Sequence, residues 1–137
     1  MILTQIRNGD CNPLPDVLIA VPMAYWSSVK RGFNQNACLA RHLAKQLAVP
    51  VEVKLIARNS GPSQRSLSRI QRFRRTQDLL RWQGSRRIKP LNGLHVAIVD
   101  DVITTGSTIR EIGKILRRQG AVRIDAWCAT RTPRKSI

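Results

Sequence analysis

"VAIVDDVITTGSTI", residues 96–109, decides the fold. Four apolar residues run into two adjacent carboxylates, Asp100 and Asp101, and then into a hydroxyl cluster around Gly106. A short unbroken apolar run reads as a strand buried on both faces, as in parallel sheets. The next residues read as a helix. "STIREIGKILRRQG" puts Ile109, Ile112, Ile115 and Leu116 on one face, and Arg117 and Arg118 near the end where the helix dipole favours cations. Gly120 is the natural C′ residue. "VRIDAWCA", 122–129, predicts another strand. Strand 94–99, the helix and strand 122–129 therefore form one β-α-β unit.

The same grammar appears upstream. "VLIAV", 17–21, is a short β-branched run bounded by Pro15 and Pro22. "NACLARHLAKQLA", 36–48, has Ala40, Leu43, Ala44 and Leu47 at helical spacing, with Asn34 or Asn36 as N-cap and Pro50 beyond its end. "VEVKLIA", 51–57, alternates and predicts a strand. Two such units predict an α/β fold: a parallel β-sheet with flanking crossover helices. Ligands of such sheets bind beyond the carboxyl ends of the strands, where Asp100 and Asp101 stand.

Between the units the chain changes character. Residues 58–89 carry ten basic residues and one acid, Asp78. The segment reads as a long basic excursion from the core, with a helical pattern at 65–75. The expected organisation is an N-terminal extension at 1–15, a domain at 16–131 with a mobile basic flap at 58–89, and a tail at 132–137.

Bulk properties bound the function. The chain has 137 residues, enough for one domain, and 24 Lys+Arg against 8 Asp+Glu, a formal charge of +16. Such a balance favours polyanionic partners, phosphorylated metabolites or nucleic acid. Cys11, Cys38 and Cys128 form no C-x-x-C pair, which argues against a zinc site or a disulfide framework and for reduced thiols in the cytoplasm. Cys38 and Cys128 sit in apolar patterns and are expected in the core. The longest apolar stretch, 17–26, is too short for a membrane span and contains Pro22, and no basic n-region marks a signal peptide.

The chemistry lies in the quoted stretch. A helix start presents unpaired N–H groups and partial positive charge. Gly106 permits a tight turn, and Thr104, Thr105, Ser107 and Thr108 add donors, so the five residues read as a phosphate cradle. A simple helix cap accounts for one hydroxyl, not for four around a glycine. The acids suit something other than the phosphate: neighbouring ribose hydroxyls, or Mg²⁺ held directly or through water. An acid pair followed at once by an anion nest reads as a sugar-phosphate site. A P-loop is excluded, since no Gly-Lys-Ser/Thr occurs. A receiver domain is excluded because "VDD" lies late in the chain and only Asp125 follows, inside a predicted strand.

The stretch resembles the phosphoribosyl-pyrophosphate motif of type I phosphoribosyltransferases. "RGFNQ" at 31–35 and the spacing of Arg58, Gln64, Leu67 and Arg72 resemble the ComF/GntX group of competence-protein-F-like homologues, a likeness covering about residues 16–130. The Cys-rich opening segment usual in that group is not among these residues, and Arg75 stands where the group tends to have Asn. The resemblance implies that Asp100 and Asp101, the residues assigned to catalysis, hold the ribose hydroxyls of phosphoribosyl pyrophosphate or a nucleotide. It implies that Thr104, Thr105, Gly106, Ser107 and Thr108 hold its 5′-phosphate. It assigns Arg31, Arg58, Gln64 and Arg72 to the pyrophosphate and the flap. Mg²⁺ is the implied cofactor, bound near Asp100 and Asp101. The implied chemistry is displacement at the anomeric carbon by an acceptor the motif does not name. The group's association with uptake and use of external DNA adds competence or DNA-processing proteins as partners. The alternative is a non-catalytic module binding a nucleotide or single-stranded DNA without sequence preference. Trp26, Phe33, Phe73 and Trp82 are its candidate stacking residues, though aromatics total only 4%. His42 and His95 are expected to be structural or exposed.

Overall fold

The computed structural model describes residues 13–23, 32–58, 80–85 and 90–132. The elements are β1 (Val17–Ala20), α1 (Gln35–Leu47), β2 (Val51–Glu52), β3 (Ile56–Arg58), β4 (Leu80–Trp82), β5 (His95–Ile103), α2 (Ser107–Arg118) and β6 (Arg123–Arg131). Four strands form a sheet in the order β2-β1-β5-β6, every neighbouring pair parallel. The predicted α/β architecture with crossover helices is therefore present.

The apolar runs are unbroken because both faces of the sheet are covered. Leu18, Ala20, Ala97 and Val99 pack with Ala37, Ala40, Leu43 and Ala44 of α1. Val17, Ile19, Val96 and Ile98 point the other way and pack with Ile112 and Leu116 of α2. The two crossovers leave the centre in opposite directions, β1 to β2 on one side and β5 to β6 on the other. Crossovers of one hand that run in opposite directions place their helices on opposite faces. The reversal falls between β1 and β5, and there the sheet has its switch-point crevice.

Three features differ from the pattern read off the chain. Residues 51–57 do not form one strand: bends at 53–55 separate β2, in the main sheet, from β3, which pairs antiparallel with β4. Alternation at 51–57 is the same for one strand as for two short ones, so periodicity could not show the break. β4 falls inside the basic excursion, and its Leu80 is buried in the α2-side core with Leu55 and Ile56. β5 also runs beyond residue 99, because Val102 and Ile103 still pair with Thr130 and Arg131. The acid pair thus stands in a strand rather than in the loop after it. The predicted helix at 65–75 and the tail from residue 133 lie outside the described residues.

Smaller expectations divide. Asn34 caps α1, accepting from the Ala37 N–H at 3.1 Å. His95 is buried, its Nε2 2.7 Å from Asp125 Oδ2, while His42 is exposed. Cys38 is exposed and Cys128 half-buried, so neither belongs to the core. Cys38 falls on the side of α1 turned away from the sheet, one residue after the buried Ala37.

Gly113 lies within α2, and a Cβ there meets nothing within 4 Å. Gly113→Ala is therefore expected to stabilise the protein by about 1 kcal/mol through helix propensity alone. A urea midpoint that fails to rise would show an unseen neighbour at that position.

Candidate active site

Asp100, Val102 and Ile103 of β5 and the turn Thr104–Ser107 into α2 line a concavity of about 50 Å³. That is room for a group of phosphate size. The turn follows from its glycine. Gly106 is the N-cap of α2 at φ +80°, a left-handed conformation that side-chain-bearing residues rarely adopt. Having no side chain, it leaves the first-turn amides of α2 without a cap of its own. Thr105 supplies part of that role: its Oγ1 accepts from the Ser107 N–H at 3.3 Å and donates to Ser107 Oγ at 3.1 Å. Thr104, Thr105 and Ser107 are exposed around the hollow. Asp100 and the five predicted phosphate-loop residues thus line one hollow.

Asp100 is electrostatically strained. Burial pushes the Asp100 carboxyl up to about 6, and the hydrogen bond and charge of Asp101 push it the same way. Asp101 Oδ1 accepts from the Val102 N–H at 2.9 Å. Arg58, at the end of β3, lies in the field of Asp100. Burial lowers its guanidinium from the ordinary value, and the Asp100 charge opposes that shift. Its Nε is buried with no hydrogen-bond partner among the described residues. Arg58 therefore lies within the field of Asp100 with its Nε unpaired among the described residues. Arg31, Gln64 and Arg72 lie outside the described residues. So do Trp26 and Phe73, while Phe33 is exposed and Trp82 is packed against the core.

The sequence offers one residue here only as a candidate N-cap, and the structure gives it another place. Asn36 is buried in the first turn of α1. Its Nδ2 donates to Val21 O at 3.1 Å, and its Oδ1 accepts from the Asp101 N–H at 2.9 Å. An Asn in a helix start reads as a cap, and Asn34 two residues earlier supplies that signal. Nothing local marks Asn36 as bound to a residue 65 positions away.

Among the described residues no group of three or more His, Cys, Asp or Glu is placed to hold a metal ion. Two adjacent carboxylates, one of them half-buried, still suit Mg²⁺, which keeps several waters and takes one or two carboxylates together with ligand oxygens. No helix among the described residues is long and apolar enough to cross a membrane.

The chain is similar to known proteins. The chain is 39% identical over 121 residues to "DNA utilization protein YhgH" of Salmonella typhi, covering 88% of this chain and 51% of that protein. It is 36% identical over 115 residues to "Competence protein F" of Haemophilus influenzae, covering 83% of this chain and 49% of that protein. It thus spans about half the length of these relatives. A purine phosphoribosyltransferase from Pyrococcus horikoshii superimposes with a TM-score of 0.63 at 20% identity, covering 99% of this chain and 74% of that one, a likeness of fold. The phosphoribosyl transferase domain model matches residues 29–136, and the chain accordingly belongs to the phosphoribosyl transferase domain family, with the YhgH and competence F proteins as its homologues.

Proposed function

We propose that this chain binds a phosphorylated ribose, phosphoribosyl pyrophosphate or a nucleotide, and serves the utilisation of external DNA. One observation carries the reading: Asp100, near the end of β5, and a glycine-centred anion nest line one hollow at the carboxyl end of a parallel sheet, with Asp101 the next residue of the strand. Asp100 and Asp101 accept hydrogen bonds from the ribose hydroxyls. Residues Thr104 to Thr108 hold the 5′-phosphate with backbone and hydroxyl donors. Arg58 contributes its guanidinium charge to the pyrophosphate, the role that the resemblance also gives to Arg31, Gln64 and Arg72, which lie outside the described residues. Asp100 and Asp101 would hold Mg²⁺, which would supply neutralising charge for the leaving group.

Transfer at this site joins an acceptor atom to the anomeric carbon as the bond to pyrophosphate breaks, with the electron pair leaving on pyrophosphate. Positioning and stabilisation of developing charge supply the catalysis. The proton that the acceptor loses leaves to solvent or to the released pyrophosphate. The names of the homologues support the DNA-utilisation setting.

A second reading has its own observation. Arg110, Lys114 and Arg117 follow one another along an exposed face of α2, which begins at the phosphate nest. Such a stripe suits a nucleic-acid backbone.

Calorimetric titration of phosphoribosyl pyrophosphate with Mg²⁺ tests the first reading. Binding is expected, with pyrophosphate released when the acceptor is supplied. A folded protein that binds no phosphoribosyl pyrophosphate would overturn it. Single-stranded DNA binding that persists without the acid pair, and weakens steeply between about 50 and 200 mM salt, would then favour the second.

A further inference from the structure

The ladder between β1 and β5 ends in an unusual way. Pairing runs from Val17↔Val96 to Ala20↔Val99, and the Val21 N–H still donates to Val99 O at 3.0 Å. In a parallel ladder one residue bonds to both neighbours of its opposite number. The next rung would therefore run from the Asp101 N–H to Val21 C=O. That rung is not made. The carboxamide of Asn36 stands in its place, accepting from Asp101 N and donating to Val21 O. The insertion is hydrogen-bonded at both ends and is 4% exposed. It lies where the crossovers diverge, at the mouth of the crevice, and it holds the backbone of the second acid.

We propose that Asn36 is a positioning residue, a polar splice that keeps β1 and β5 apart at the switch point and sets Asp101 for the ribose hydroxyls. The inference rests on the sugar-phosphate reading of this site. A splice of one amide length separates the two strand ends that a direct rung would draw together. Without it the Asp101 N–H and Val21 C=O can bond each other, so the fold survives while the crevice narrows. The phosphate nest begins at Thr104, beyond the splice, and is untouched by that closure.

The test separates sugar from phosphate. Ribose 5-phosphate and inorganic phosphate are each titrated into wild type, Asn36→Ala and Asn36→Asp. Asn36→Ala permits the direct rung. Asn36→Asp, as a carboxylate, keeps the shape and the acceptor but loses the donor to Val21. In both variants the affinity for ribose 5-phosphate is expected to fall about 10- to 100-fold, the range for loss of a positioning contact. Phosphate affinity is expected to stay within about twofold of wild type, since the nest is unchanged. A merely structural Asn36 would move both affinities together, and that result, or no change in either, would overturn the proposal. Wild type that binds ribose 5-phosphate no better than phosphate would instead overturn the sugar-phosphate reading itself. Should either variant fail to fold, wild-type NMR decides. The Asn36 side-chain amide and the Asp101 N–H must shift with ribose 5-phosphate and not with phosphate. Resonances that ignore the sugar would reject the splice as a positioning device.

Discussion

Asp100→Asn/Asp101→Asn is expected to weaken sugar-phosphate binding at least about 100-fold, and in the same protein to raise stability at neutral pH. The binding loss follows from two charge-assisted hydrogen bonds to ribose hydroxyls, worth roughly 1.5–3 kcal/mol each. The stability gain follows from the Asp100 carboxyl, which burial and Asp101 raise to about 6 from an ordinary 3.8. A raised carboxyl means that the folded state holds its proton more tightly than the unfolded one. Its contribution to stability is therefore full below pH 3.8 and is lost as the pH rises through 6. At neutral pH the native protein carries the strain of the charged form. For a half-exposed group that strain, after solvent screening, is about 1 kcal/mol. Urea unfolding at pH 5 and pH 8 measures it: wild type should lose stability across that interval relative to the double variant. Equal pH dependence in the two proteins would show that the acids are not coupled in the fold. Sugar-phosphate affinity should move the opposite way with pH, falling below about 6 as Asp100 takes up its proton.

Gly120→Val is expected to destabilise by about 3 kcal/mol or more, the largest effect of a single glycine here. Gly120 follows α2 at φ +98°, which by itself costs a β-branched residue about 1–3 kcal/mol. Space adds to conformation. A Cβ at Gly120 would lie 2.9 Å from the Cα of Asn92 and would collide with the Asn92 side chain. Asn92 cannot move away freely, because its turn is tied to the same place: the Gly93 N–H donates to Gly120 O at 3.0 Å and the Val122 N–H to Leu94 O at 3.0 Å. These bonds join the turn before β5 to the turn before β6, so a displacement there reaches both strands. Urea denaturation checks the size. A loss near 1 kcal/mol would mean that the Asn92 turn yields. Gly120→Ala on a background of Asn92→Gly should then recover part of the Gly120→Ala loss, since the colliding side chain is gone.

Gly120 shows how far a chain can be read. Gly120 was legible as a helix-ending residue because the αL preference of glycine is local. Its collision with Asn92 was not, since that depends on a turn 28 positions earlier in the chain. The strand at 51–57 failed for a related reason. Alternation reports which side chains are buried, not which sheet buries them, and here β2 and β3 belong to two sheets. The cysteines erred similarly, because an apolar neighbourhood in sequence placed Cys38 on a helix without saying which side faces the core.

The sequence by itself determined the parallel α/β architecture, the central strands, both helices and the turn that gathers Thr104 to Thr108. All of these rest on periodicity, capping and glycine chemistry within about fourteen contiguous residues. Only the tertiary structure decided that Arg58 enters the field of Asp100, that β4 returns from the basic excursion to bury Leu80, and that Asn36 takes the place of a rung between β1 and β5. Each of those depends on residues brought together across the chain by packing, and side-chain hydrogen bonds of that span leave no periodic trace.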